Sequence, residues 1–246
     1  MRLIFPIALS FLTINFTLSA STYVTTSGYI EDVLTTSGET HPYSGANLSA
    51  FAYLPDAELN NAYLPGADLP GADLTGADLT GANLTNAYLN FTDFTGADLT
   101  GANLTNAYLA GADLNGADLN GADLSITFLL SAGFIGADLN GTDLNSSWLA
   151  GADLTGADLT GANLMGADFY STWLNYANLS YANLTNVSNV HTAIWTNSNL
   201  YGATLPDGYD QAWFESEGAI FVVPEPSSYA LLLGGLALGL VAFRRL

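Results

Sequence analysis

Cysteine is absent from the 246 residues, and so is lysine. The first absence excludes a disulfide framework and any thiolate metal centre. The second leaves three arginines against 23 Asp and Glu, for a formal net charge of −20. So few cations make no basic patch, which excludes direct binding to a nucleic-acid phosphate backbone. Histidine is scarce: His41 and His191 stand far apart. No Ser-His-Asp set, pocketed carboxylate pair or phosphate-cradling loop is legible, so the chain reads as non-catalytic. A full-length membrane span is missing as well. The C-terminal apolar run, Tyr229 to Phe243, has 15 residues, against the ~20 a span needs. What is abundant is apolar: 49% of residues, too many for a disordered acidic segment.

The three cations are Arg2, Arg244 and Arg245, all at the ends. Arg2, the apolar run Leu3 to Leu18 and the small residues Ser19-Ala20-Ser21 read as a secretory signal peptide over 1–21. At the other end, Arg244 and Arg245 directly follow the short apolar run. Positive residues favour the cytoplasmic side, so this segment is expected to stop in the inner membrane with the body outside.

Between the ends lies one repeat. From Ala50 to Thr185 the period is five without a slip. Let i be the central position, Leu54, Leu59 and onward to Leu184. Of these 27 positions, 24 are Leu and three are Phe (Phe94, Phe134, Phe169). Position i−2 is Ala in 22 of 27, the others being Thr92, Thr127, Thr142, Ser147 and Thr172. Position i−1 is usually Asp or Asn, and i+2 is often Gly. Such a period would spread Leu around a helix and send successive Leu to opposite faces of a straight strand. Three extended residues followed by a two-residue corner resolve the conflict, with the chain coiling around a Leu and Ala column. Gly supplies the corner dihedrals. Asp78 to Leu89 recurs identically at Asp98 to Leu109, and Gly71 to Leu84 at Gly151 to Leu164. Offsets of 20 and 80 point to four pentapeptides per coil. The register slips once between Leu48 and Leu54. It slips again after Leu184, the series continuing as Val190, Trp195, Leu200 and Leu205, with Asp207-Gly208 as a stop.

The A-(D/N)-L-x-G pattern resembles the pentapeptide-repeat family. That resemblance implies an all-β fold, a right-handed quadrilateral β-helix, here of about eight coils, plus a short C-terminal hydrophobic helix. The expected divisions are a signal peptide (1–21), an N-terminal cap (22–44), the β-helix (45–208), a C-terminal cap or linker (209–222) and a tail (223–246). The tail, with Pro224, Glu225, Pro226, its apolar helix and Arg244-Arg245, resembles a PEP-CTERM sorting signal. It implies processing by an exosortase-type enzyme in a Gram-negative bacterium. The chain would be exported through the inner membrane, transiently anchored, and left at the cell surface or in the extracellular matrix. Trimming both ends would remove every Arg and Glu225, leaving a body without Lys or Arg.

Residues 20 apart share a face. One face then carries Glu58, Asp78, Asp98, Asp118, Asp138 and Asp158 at i−1. Neighbours ~4.8 Å apart repel by ~0.9 kcal/mol in bulk water. The ladder is either the repeat's ordinary outward residue, or it holds countercations or raises some carboxyl pKa values through like-charge repulsion. Calcium, an oxygen-seeking ion, is the candidate cofactor there; otherwise none is expected. Another face carries Tyr88, Tyr108, Phe128 and Trp148, with Ile126, Leu130 and Ile135 nearby and expected to point outward. These aromatics either stiffen the rod by stacking or form a contact surface for self-association or an exopolysaccharide.

The expected function is therefore an exported, non-catalytic structural or interaction protein. Two alternatives stand beside it. Fifteen acids lie between Ala50 and Thr185. At ~32 Å of rod that is one per ~2.2 Å, against ~1.7 Å for duplex DNA, the charge density of a DNA mimic. The other alternative is a polysaccharide- or calcium-binding surface module.

Overall fold

The structure is a computed structural model and describes residues 22–24, 30–32 and 50–222. β1 (Thr22–Val24) and β2 (Ile30–Asp32) form an antiparallel pair with Tyr23 opposite Glu31. The signal-peptide residues, the first register slip at Leu48 and the C-terminal helix fall outside the described residues.

Residues 50–222 coil. Successive turns are joined by parallel single-residue bridges at an offset of 20, as in Asp78 to Asp98 to Asp118. Between rungs the chain is all corner, so extended runs long enough to be strands are absent here among the described residues. Four ladders result, one per side of the coil. The first runs from Tyr53 through Asp73, Asp93 and Asp113 to Ile194, and the second from Glu58 to Ile220. The third runs from Tyr63 through Asn83 and Asp123 to Thr204, and the fourth from Asp68 through Tyr88 to Ser188.

One pentad shows why this sequence takes this path. Gly96 N–H donates to Asn115 O (3.0 Å), Asp98 N–H to Ala77 O (2.9 Å) and Leu99 N–H to Asp118 O (2.6 Å). Those bonds reach the coils on either side. Ala97 N–H closes the corner on Phe94 O (2.9 Å). Thr100 N–H goes to the Asp98 side chain (2.9 Å). All five donors are satisfied, as a packed backbone requires. The third corner residue has positive φ, for example +65° at Gly96 and +62° at Gly101. That places a type II turn at each corner and explains Gly at i+2.

The inward column is predominantly apolar. Leu54 through Leu184, the three Phe and the Ala at i−2 are buried, except for partly buried Ala57. Each buried Leu contributes roughly 1.5–3 kcal/mol. The polar substitutes for Ala are fully buried and mostly bonded. Thr92, Thr142 and Thr172 hydroxyls donate to Leu69, Leu119 and Leu149 carbonyls at 2.8–2.9 Å, and Thr127 donates to Leu124 O. Ser147 Oγ alone is buried without a protein partner among the described residues.

At the C-terminal end the extra residue is located. Asn189, at φ +57°, is followed by a 3-10 turn, Val190–Thr192, and shifts the bridge offset from 20 to 21 at Trp173 and Ile194. Asn tolerates the left-handed region better than most residues, and its Nδ2 donates to Asp168 at 2.6 Å. Val190, Trp195 and Leu200 are buried, while Leu205 is only partly so. The chain does not leave the ladder at Gly208. After α1 (Gln211–Ser216), capped by Asp210 accepting from Trp213 N–H, Ile220 bridges Asn199. Phe214 of α1 is fully buried with its ring 4.9 Å from Trp195, which lies 5.8 Å from Phe169.

Candidate functional site

The structure brings the six carboxylates Glu58, Asp78, Asp98, Asp118, Asp138 and Asp158 into one continuous ladder, which ends on Asn178 and Asn199. Their side chains are not simply outward. In Asp78, Asp98, Asp118, Asp138 and Asp158, Oδ1 accepts the backbone N–H two residues on, at 2.9–3.0 Å. This is the Asx arrangement of a turn. Asn does the same on the third face, at Asn83 and Asn103. The Asp or Asn at i−1 is thus the cap of each corner. Sequence reasoning weighed it as an ordinary outward residue or as a cation-holding ladder, and did not find this capping role. The signal that could have found it was the preference for Asp and Asn, whose side chains hydrogen-bond the backbone two residues on.

The ladder was expected to raise carboxyl pKa values. At Asp98 the direction is down: the Thr100 hydroxyl bond lowers it most, burial opposes, and bonds from the Thr100 backbone and the Thr80 side chain lower it further. The stack is also relieved at its end, where Asn178 Nδ2 donates to Asp158 at 3.2 Å. Among the described residues no group of three His, Asp or Glu is placed to hold a metal ion. Calcium takes six to eight oxygens, and here one oxygen of each of these Asp carboxylates already accepts a corner N–H.

The fourth face holds the aromatics. Tyr88 and Tyr108 stack at 5.1 Å and 7°, Tyr108 and Phe128 at 4.8 Å and 1°, and Phe128 meets Trp148 edge-on at 4.6 Å and 66°. The rings therefore cover one another's faces and present their edges to solvent. A sugar ring stacks on an aromatic face, and the inner faces of this row are taken. Asp68 and Asp168 bound the strip at its two ends. Ile126 and Leu130 are exposed at the corners on either side of it, whereas Ile135 is exposed at the corner between the first face and the acidic second face.

Two backbone details mark this region. Ile126 has φ +59°, a rare conformation for a β-branched residue. Gly133 stands on the first face where Asp113 and Asp153 flank it, so no carboxylate caps its corner. Asn115 of the preceding coil accepts the orphaned Ile135 N–H instead, at 2.6 Å. Likewise, Asn90 accepts the Ala110 N–H (3.2 Å) beside Tyr108, which has no capping oxygen at i−1.

The order of the faces sets the whole-rod electrostatics. The acidic ladder is the second side and the aromatic strip the fourth, so they lie on opposite sides of a four-sided coil. Pro224, Glu225, Pro226, Arg244 and Arg245 lie outside the described residues.

A family model described as pentapeptide repeats (8 copies) matches residues 52–90, 87–125, 132–169 and 152–188, more than half of the chain. A second, the PEP-CTERM protein-sorting motif, matches residues 222–245. No curated protein matches. Among solved structures, the chain is similar to HetL, a pentapeptide repeat protein involved in heterocyst differentiation regulation in the cyanobacterium Nostoc. Identity is 31% over 70% of this chain and 80% of that one, with a TM-score of 0.35. It is also similar to a pentapeptide repeat protein of the Arabidopsis thaliana thylakoid lumen (31%, 54% and 74%, TM-score 0.33). A trypsin-treated variant of QnrB1, a plasmid-mediated fluoroquinolone resistance protein, matches at 18% identity over 78% and 95%, with a TM-score of 0.47.

Proposed function

Because the chain belongs to the pentapeptide-repeat family and carries a PEP-CTERM sorting motif, we propose that it is an exported, non-catalytic rod. An exosortase-type enzyme sorts it to the cell surface or exopolysaccharide matrix of a Gram-negative bacterium. The single observation that carries this reading is the sorting motif at 222–245, placed directly after the last rung of the coil at Ile220. The rod is taken as right-handed with about eight coils, in keeping with the family and with the ladder from Tyr53 to Ile194. Its ends are taken as closed, by Phe214 of α1 over Trp195 at one end and by residues 22–44 at the other. Its contact surface is the aromatic strip, since an apolar strip in an otherwise anionic exterior is where desolvation costs least.

The triple substitution Pro224→Ala, Glu225→Ala, Pro226→Ala in the native host tests the sorting step. The unaltered chain is expected to leave the inner-membrane fraction after processing, and the altered chain to accumulate there at its unprocessed C-terminus. Identical fractionation and identical C-termini would contradict the reading.

A further inference from the structure

We propose that the aromatic strip of the fourth face is the interface of a homodimer, in which two copies pack side by side through Tyr88, Tyr108, Phe128 and Trp148. The inference deepens the reading of the strip as a contact surface by naming its partner. Three observations carry it.

The first is charge. No Lys or Arg lies between Arg2 and Arg244, so nothing along the rod neutralises a carboxylate that another copy brings. The other three ladders carry carboxylates at mid-length: Asp73, Asp93, Asp113 and Asp153 on the first, six acids on the second, and Asp123 and Asp143 on the third. The fourth is free of charge from Tyr88 to Trp148. At the middle of the rod, a second copy meets this one without acid against acid only on that face. That approach also turns the two acidic ladders to the outer sides of the pair, as far apart as the rods allow, where Coulomb repulsion is weakest.

The second is period. Ring centroids repeat every 4.6–5.1 Å along the strip. A row of this spacing interdigitates with another of the same spacing, as side chains do between paired β-sheets. A second copy has that period by construction, and a two-fold axis makes the patch self-complementary.

The third is area. Tyr88 and Trp148 are half exposed (49% and 52%), Phe91 is 73% exposed, and Ile126 (49%), Leu130 (42%) and Tyr170 (56%) flank the row. At ~150–250 Å² per aromatic side chain, the strip offers several hundred Å² per copy. That is the scale of the ~800 Å² a standard interface takes from each partner.

The chain's lack of cysteine makes the test clean. Single substitutions Leu130→Cys and Ala150→Cys on the strip, and Asn120→Cys beside the acidic ladder, are placed in the full chain in its host and treated with a short bismaleimide. Both strip variants are expected to give a dimer of twice the chain mass, and Asn120→Cys none. Adding Tyr88→Asp and Trp148→Asp to Leu130→Cys is expected to abolish the dimer while the variant keeps its cooperative thermal transition. The proposal is overturned if both strip variants stay monomeric, if Asn120→Cys cross-links as strongly, or if the adduct contains a different protein. Membrane release and C-terminal processing are read on the same samples. A monomeric but correctly processed chain defeats the dimer alone, whereas an unprocessed chain defeats the sorting reading.

Discussion

At the residue scale, the unit of this molecule is a carboxylate or amide folded back on its own corner. Asp98 holds the Thr100 N–H, which has no backbone acceptor. The geometry asks for an acceptor oxygen at that reach, not for a charge, and Asn83 serves as well as Asp. Asp98→Ala is therefore expected to cost about 1 kcal/mol, seen as a lower thermal midpoint, and Asp98→Asn to cost less. The pH dependence separates the two further. Asp98 is depressed in the folded state, so its ionised form stabilises the fold above its unfolded value near ~4, and that stability is lost as pH falls through the folded value. Asp98→Asn should flatten the acid limb of the stability curve below about pH 4. An Asn variant with an unchanged acid limb would show that the bond contributes nothing to the charged form.

At the element scale, the parts legible in the sequence were those fixed by period. The Leu and Ala column follows from spacing alone, because a residue repeated every fifth position without exception must face the same environment. The side count followed from the offset of 20. What was not legible depends on local geometry that no period encodes. The Asx role of Asp78 and Asp98 shows only once the corner is known to be a type II turn with one orphan N–H. The sequence left open whether Tyr88, Tyr108 and Phe128 stack on one another or present a contact surface, because the choice depends on rotamers; the structure stacks them. The six-residue step after Leu184 was visible, but its placement at Asn189 was not, since any residue of the step can absorb the shift. Nor did the sequence show that Ile220 rejoins the second ladder beyond Asp207-Gly208. This end has its own test. Phe214→Ala opens a cavity beside Trp195 and should cost about 3–5 kcal/mol, with Trp195 emission shifting to the red. Unchanged emission and midpoint would mean that α1 does not close the column.

At the scale of the whole molecule, the rod is two-sided. One side is a carboxylate ladder with every second hydrogen-bonding role already spent on corners, and the opposite side is an uncharged aromatic strip. The absence of cations from the body is what ties the architecture to its destination. Arg2, Arg244 and Arg245 belong to the terminal segments, so processing at both ends would release a rod without a single Lys or Arg. Cell fractionation of the native host with intact-mass analysis of the purified chain reads this directly. The expected species lies outside the cytoplasm, lacks about residues 1–21 and the residues from Pro224 onward, and contains no arginine. A cytoplasmic species of full mass, with Arg2 and Arg244 still in place, would contradict it.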